Sequence, residues 1–498
     1  MAAVDASVLE RTACVPVGEQ TAFSAQVPTL TGSTLDLDFQ ADSRPYATHA
    51  VHPFPAKFPP QLVRWIIDNY TGPGETICDP MVGSGTTMVE ARLTGRHCLA
   101  TEIDPLSRLI ARVKATPLDV GKIQKASEDL ERRLAPRFEV LRNACNLSPD
   151  RFPALDDLEL PEFPRRDYWF ERRVCEDLAV LRDGIAGIPD RDVRDFFLVV
   201  YSSVIITKGP STVANALDIA HSRAHHVDRS NPPDVMGRFR DRLRRCSRAM
   251  ANFDNHPTLD RKVRVELVGE DARSLPLPDS SVDAIVTSPP YLTAIEYPRG
   301  HKFSLWWIGD LLGVSTQAYA ALATEYIGTE QVRLPERRKL AAEPFGVAQL
   351  DTTITALEYL SEKRAGQARR YFRDMQLVLA QILRVLKPDR PAVLIVGDSV
   401  IRGLAVPTHS CLAALAEATV AGSSHFVVTA EISRTIHRDH RQMPIKRGQS
   451  GDGMKTEYVL VLQRRSHHRA FGFGSLDHPE LTRCGVDGDE QGTGEVHE

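Results

Sequence analysis

Thr76-Ile77-Cys78-Asp79-Pro80-Met81-Val82-Gly83-Ser84-Gly85-Thr86-Thr87 packs a strand end, an acid and a glycine-rich turn into twelve residues. An apolar start ends in an acid, a glycine-rich turn follows, and Met88-Val89-Glu90-Ala91-Arg92 opens a helical pattern. Glycines let the backbone turn tightly and approach a ligand closely. Amides at a helix start favour an anionic or carboxylate group. Alone, the same pattern also fits a dehydrogenase or a simple tight turn. Downstream, Cys98-Leu99-Ala100-Thr101 reads as a second strand, ending in Glu102-Ile103-Asp104-Pro105. An acid there, about twenty residues after the glycines, is the usual ribose-hydroxyl partner in such units. A solvated loop acid would read the same way.

Further along, Val282-Asp283-Ala284-Ile285-Val286-Thr287 reads as a strand running into Ser288-Pro289-Pro290-Tyr291. Each proline fixes its own φ and biases the residue before it toward extended geometry. The corner is rigid, with carbonyls held outward beside an aromatic face. That suits a flat group with an exocyclic amine: carbonyls accept the amine hydrogens and the ring stacks on Tyr291. The plain alternative is a proline-rich turn after a core strand.

Taken together, these residues carry a resemblance. Asp79 to Thr87 looks like the AdoMet-binding motif of amino-methylating DNA methyltransferases, with Met81 where phenylalanine is usual. Methionine is a flexible apolar substitute for that volume. Thr287 to Tyr291 is similar to their catalytic motif, and the Thr-Ser-Pro-Pro-Tyr form resembles the cytosine-N4 branch. Adenine-N6 enzymes more often place Asp or Asn before the prolines. His52-Pro53-Phe54-Pro55-Ala56-Lys57-Phe58-Pro59-Pro60 looks like the segment that closes the methionine end of the site. The resemblance covers Tyr46 to Pro117 and roughly Val263 to Gln463. It implies a Rossmann-like AdoMet-dependent methyltransferase sheet with helices on both faces, AdoMet as methyl donor, and DNA as partner. It implies catalytic roles for Ser288, Pro289, Pro290 and Tyr291. It implies cofactor contacts from Asp79, Pro80, Gly83, Gly85, Thr86, Glu102 and Asp271. Asp79 would hold the methionine amine, Gly83 and Gly85 would give backbone access, Glu102 would take the ribose hydroxyls and Asp271 the adenine amine. Many cytosine-N4 enzymes have the two motifs in the reverse order, so this arrangement is a circularly permuted variant.

The strand and helix patterns are those of an α/β chain. Arg264 to Val268, Ala392 to Gly397, Phe426 to Ala430 and Glu457 to Leu462 are further apolar strand patterns. Alternating strands and helices imply a mostly parallel sheet covered on both faces. Residues 1–40 read as a loosely ordered N-terminal segment. Residues 41–117 form the AdoMet-binding first part of the core. Residues 118–262 read as a helical insertion, with helices at Ile123–Leu134, Glu171–Gly184 and Val193–Thr207. Residues 263–465 form the catalytic second part, with an inserted segment at 292–372, and 466–498 read as a disordered tail. The insertion and the 292–372 segment are both candidates for target recognition.

Length, 498 residues, allows two or three domains, and 42% hydrophobic with 25% charged residues is ordinary for a globular protein. No apolar run is long enough to span a bilayer, and the first residues carry no secretory pattern, so a cytoplasmic protein without a membrane partner is expected. Eight cysteines lie scattered with no C-x-x-C pair, which argues against a disulfide framework or zinc knuckle. His221, His225 and His226 have helical spacing, but a metal site would need further ligands at fitting distance; structural or nucleic-acid-facing roles are expected instead, and no metal.

A net charge of −4 does not advertise a nucleic-acid binder, but local basic clusters neutralise phosphates. Three stand out: Arg238 to Arg248; Arg333, Arg337, Arg338 and Lys339; and Arg434, His437, Arg438, His440, Arg441, Lys446 and Arg447. Solvated helix faces explain the first equally well. In Tyr297-Pro298-Arg299-Gly300-His301-Lys302-Phe303-Ser304-Leu305-Trp306-Trp307, the aromatics Phe303, Trp306 and Trp307 read as core. Tyr297, Arg299 and His301 are left as candidate nucleic-acid contacts.

The expected activity is methyl transfer to the N4 amine of cytosine in DNA, in a restriction-modification or related marking role. A separately encoded cognate endonuclease is an open partner. Adenine-N6 methylation and RNA guanine-N2 methylation remain as alternatives, although residues 1–40 are short for an appended RNA-binding domain. A non-catalytic DNA-binding protein on a relict fold predicts loss of an acid or glycine, yet Asp79, Gly83, Gly85 and Glu102 are all present. A dehydrogenase leaves Ser-Pro-Pro-Tyr unexplained. No Pro-Cys nucleophile stands at the corner, which argues against ring-carbon methylation.

Overall fold

In the computed structural model, Leu37, Phe39 and residues 46–54, 59–144, 158–205, 213–215, 233–292, 297–436 and 456–466 are described. Helix α1 (Pro60–Tyr70) starts on a proline at its first position, where a missing N–H costs nothing, and buries Leu62, Val63, Ile66 and Ile67. It leads to β1 (Thr76–Asp79), α2 (Thr86–Leu93), β2 (His97–Thr101) and α3 (Pro105–Ala115). Asp104 caps α3 by accepting from the Ser107 amide at 2.7 Å, with Pro105 next.

A helical stretch follows: α4 (Val120–Ala144), α5 (Arg166–Trp169), α6 (Arg172–Ala186), α7 (Arg191–Ile205) and α8 (Val235–Asp254). From Asp195 to Ile205 every side chain of α7 is buried, because α3 and α9 (Tyr297–Ile308) flank it with α6 and α8. The sheet resumes with β3 (Val265–Gly269) and β4 (Ala284–Thr287) before α9. Helices α10 (Thr316–Leu322), α11 (Leu334–Ala341), α12 (Ala348–Leu360) and α13 (Glu362–Val385) come next, then β5 (Pro391–Gly397). A small hairpin, β6 (Ser399–Ile401) and β7 (Leu404–Val406), precedes α14 (Thr408–Glu417), β8 (Val420–Ala421), β9 (Ser424–Thr435) and β10 (Thr456–Ser466).

The sheet order is β3-β2-β1-β4-β5-β10-β9-β8. The first five strands are parallel; β10 runs antiparallel to β5, β9 to β10 and β8 to β9. This is the α/β sheet expected from the strand patterns, closed at one edge by antiparallel strands. All seven residues of β5 are buried, as a central strand covered on both faces requires. One face packs on α1, α2, α3 and the α6–α9 helices through Ile77, Val286 and Val393. The other packs on α12, α13 and α14 through Cys78, Ile285 and Leu394. Strand order turns back on itself between β1 and β4, where α/β sheets bind ligands beyond their carboxyl ends. Ile77 pairs with Ala284 and Cys78 with Ile285, so the last residues of both strands reach that edge side by side.

Several sequence readings fall outside the described residues: Lys208 to Ser211, the His221, His225 and His226 trio, the basic run 437–447, residues 1–36 and the tail after Ser466. Among the described residues no helix is long and apolar enough to cross a membrane.

Candidate functional site

The two motifs meet through Asp79. Its Oδ1 accepts from Thr287 Oγ1 at 2.7 Å and from the Met81 amide at 3.1 Å, across 208 residues of sequence in the first case. Asp79 is 1% exposed, and burial pushes its carboxyl up to about 6 despite these bonds. It therefore lies beneath the site and ties β1 to β4.

Above it opens a narrow cleft of about 70 Å³, smaller than the roughly 300–1,000 Å³ of typical small-molecule sites. Pro80, Gly83, Glu102, Asp271, Ser288 and Pro290 share its wall with Phe54, Met81, Ile103, Ala272, Tyr297, Tyr326 and Ile327. Apolar side chains and carboxylates thus line one cleft, surfaces and acceptors of the kind an adenosine-bearing ligand would use.

Gly83 has φ of 51°, and a Cβ there would meet the Phe54 ring at 3.5 Å. Its amide donates to Glu102 Oε2 at 2.8 Å, and the Asp104 amide donates to Oε1 at 2.9 Å. Burial and the Asp104 charge nevertheless raise the Glu102 carboxyl to about 7.

Gly85 has a different job from the one its motif suggests. At φ 81° a Cβ would lie 2.7 Å from Ala111 Cα, and its amide donates to Val82 O at 2.9 Å. The residue lets α2 close onto α3, and it is not among the residues lining the cleft. Thr86, 3% exposed, is buried behind it. Lys114 of α3, 1% exposed, donates to Ser84 O at 2.7 Å and holds the turn from below.

Asp271 lines the cleft, but its carboxylate is already engaged by Arg273, whose Nη2 stands 2.9 Å from Oδ2. Burial pushes this carboxyl up; the hydrogen bonds and charge of Arg273 outweigh it and leave it below the ordinary range. Arg273 also reaches Asp374 Oδ1 at 3.0 Å and Glu325 O at 3.0 Å. An adenine amine would compete with this arginine for Asp271.

At the Ser288–Tyr291 corner, Ser288 and Pro290 line the cleft, whereas Pro289 is buried. Tyr291 is not among the residues lining the cleft; it donates its hydroxyl to Glu457 Oε1 of β10 at 2.7 Å. Gly328, at φ 82°, crosses over the corner: a Cβ there would stand 3.5 Å from Tyr291 O and 3.9 Å from Pro290 Cβ.

Three sequence readings are corrected here. His301 is 4% exposed and its Nδ1 lies 2.9 Å from Asp104 Oδ1, so it is an interior partner and no nucleic-acid contact. Tyr326 OH donates to Asp104 Oδ2 at 2.5 Å, and Tyr319 OH stands 3.5 Å from it. Burial alone would raise Asp104; the facing His301, Tyr326 and the Ser107 amide bring it down to about 2. Arg434 does not join a phosphate-facing cluster: it is 6% exposed and paired to Glu457. Trp306 is only partly buried, stacked on Phe163 at 4.9 Å, while Phe303 and Trp307 are core. Tyr297 and Arg299 line a second groove beside the cleft.

Of the basic clusters, the one on α8 is mixed: Arg242 is tied into the fold, whereas Arg240, Arg244, Arg245 and Arg248 are exposed. Arg242 donates to Ala50 O and Val51 O, Arg240 pairs with Glu131 and Arg244 with Asp241. Arg333, Arg338 and Lys339 around α11 are exposed. The Asp104 and Glu457 networks were missed by sequence reasoning. Asp104-Pro105 carries a helix-start signal, but its partner is 197 residues away. Among the described residues no cluster of His, Cys, Asp or Glu could hold a metal ion.

Residues 32–111 match a family described as DNA methylase. Similar proteins include a Type II methyltransferase, M.MvaI, of Kocuria varians, 24% identical over 380 residues, spanning 74% of this chain and 80% of that one. Another, M.MjaII of Methanocaldococcus jannaschii, is 36% identical over 104 residues, 20% of each chain. M.BsoBI of Geobacillus stearothermophilus is 22% identical over 271 residues, 51% of each.

Proposed function

From the premise that this chain belongs to the amino-methylating DNA methyltransferases, which act on DNA with AdoMet, we propose that it methylates the exocyclic N4 amine of cytosine. The observation that carries the reading is Thr287-Ser288-Pro289-Pro290-Tyr291 at the carboxyl end of β4, with Ser288 and Pro290 on the cleft wall that also holds Gly83 and Glu102. Tying Thr287 to Asp79 keeps the amine site and the cofactor wall in one frame.

When bound, AdoMet supplies a sulfonium methyl that is already electrophilic. The chain has to improve the nucleophile, because the amine lone pair is conjugated into the base. Ser288 Oγ and the Pro289 carbonyl accept hydrogen bonds from the amine and draw its nitrogen toward tetrahedral geometry. Fixed dipoles and orientation supply most of the rate. With AdoMet bound, its carbon–sulfur bond would break as the nitrogen–carbon bond formed, leaving the neutral thioether, and the methylated amine held at the corner would release one proton to solvent. The Tyr291 ring stacks on the base once it has left the duplex, which offsets an unstacking cost of a few kcal/mol. Glu102 takes the ribose hydroxyls, Gly83 and Pro80 shape the wall, and Asp271 takes the adenine amine after Arg273 yields. Asp79, Gly85 and Thr86 hold the turn in place from behind.

The corner would serve adenine-N6 equally well, so the target base is the finer part of the proposal. Likeness to Type II methyltransferases supports a role in a restriction-modification pair with a separate endonuclease in the cytoplasm. Incubation with radiolabelled AdoMet and mixed-sequence duplex DNA, then nucleoside analysis, tests it. Label in N4-methylcytosine is the expected result. Label in N6-methyladenine overturns the base assignment, and label only in transfer RNA overturns DNA as substrate.

A further inference from the structure

Glu457 has an unusual position for a strand residue. It is 6% exposed on β10, opposite Gly397 of β5 and Arg434 of β9. Arg434, equally buried, donates Nε to Oε2 at 2.8 Å and Nη2 to the same oxygen at 2.6 Å. Oε1 is left for another donor, and it accepts the Tyr291 hydroxyl at 2.7 Å. A buried ion pair contributes little net stability by itself, because desolvation offsets its attraction. Here its free oxygen is spent on the aromatic of the catalytic corner, 166 residues earlier in the chain.

We propose that Glu457, charged and oriented by Arg434, is a positioning residue that fixes the Tyr291 ring for the target base; this rests on the reading of Tyr291 as the stacking residue. A tyrosine held at its Cα by the two prolines still turns about its side-chain bonds. A short charge-assisted bond at the far end of the ring removes that freedom. The ring plane is then set before the base arrives. Glu457 touches neither substrate nor cofactor, so its effect belongs in turnover and in capture of the extruded base. The Glu102 end of the cleft lies apart from this bond, so AdoMet affinity should not follow it.

Tyr291→Phe is the cleanest probe: it deletes only the hydroxyl and leaves Glu457 paired with Arg434. The expected result is a five- to tenfold fall in kcat, weaker fluorescence of 2-aminopurine at the target position, and an unchanged Kd for AdoMet. Glu457→Leu alone strands the Arg434 charge and risks the fold, so it is compared with Glu457→Leu/Arg434→Leu, with Tm checked for both. The triple variant carrying Tyr291→Phe should lose no more than the double variant, because all three residues act through one bond. Additive losses would overturn the coupling. If Tyr291→Phe turns over normally while Tyr291→Ala is dead, the stacking reading stands and the positioning role falls. If Tyr291→Ala also turns over normally, the stacking reading itself falls.

Discussion

The two walls of the site are built in opposite ways. The cofactor wall is local: Gly83 meets Glu102 across 19 residues and Ser84 meets Lys114 across 30. The Ser288–Tyr291 corner is held from afar, by Asp79 across 208 residues and Glu457 across 166, with Gly328 lying over it. A locally closed unit can keep its shape when the rest of the sheet is disturbed; a corner assembled from distant strands cannot. Ligand binding and turnover should therefore come apart under mutation.

The sharpest way to separate them is Ser288→Ala. Loss of one fixed polar contact to the reacting amine should lower kcat by about 100- to 1,000-fold, in line with losing a single preorganised donor elsewhere. AdoMet Kd should stay within twofold. A parallel loss of AdoMet binding by calorimetry would erase the distinction between the walls.

Gly85→Val attacks the local wall instead. The new side chain would overlap Ala111 of α3 at a backbone angle of φ 81° that valine does not tolerate. A destabilisation of about 2–4 kcal/mol is expected, read as a lower Tm together with lost AdoMet binding. Normal binding and an unchanged Tm would show that α2 and α3 are free to part.

The smallest expected effect, and the most diagnostic for chemistry, is at Glu102. Its carboxyl is raised to about 7 in the ligand-free protein. Only the carboxylate is a full acceptor for ribose hydroxyls, so AdoMet affinity should rise as pH increases through about 7. Glu102→Gln should weaken binding about tenfold at pH 8 and flatten its pH dependence between 6 and 8. A pH profile that survives the substitution would assign the titration to another group.

Much of the fold could be read ahead of the structure because its signals are local. Apolar runs such as Ala392 to Gly397 mark buried strands, and Asp79 to Thr87 carries acid, turn and helix start within nine residues. The site was legible only where a motif names its own residues. His301 and Arg434 were misread because a histidine or arginine looks the same in sequence whether water or a distant acid solvates it. Asp104 and Glu457 become visible only when chain pairing is known. Gly85 shows a second demand that the motif does not announce: a glycine there also makes room for helix packing against Ala111.

Pairing β1 with β4 also imposes a delay on synthesis. Roughly 200 residues separate the two strands. At about 5–20 residues per second, β1 emerges from the ribosome roughly 10–40 s before its neighbour exists. During that interval an apolar parallel edge, with Ile77 and Cys78 fully buried in the finished protein, faces the solvent of the cell. The helices made in between are the first material available to shield the nascent chain. Slowing translation across residues 118–262 should lengthen this exposure and increase aggregation of newly made chains, whereas the mature enzyme would be indifferent to it.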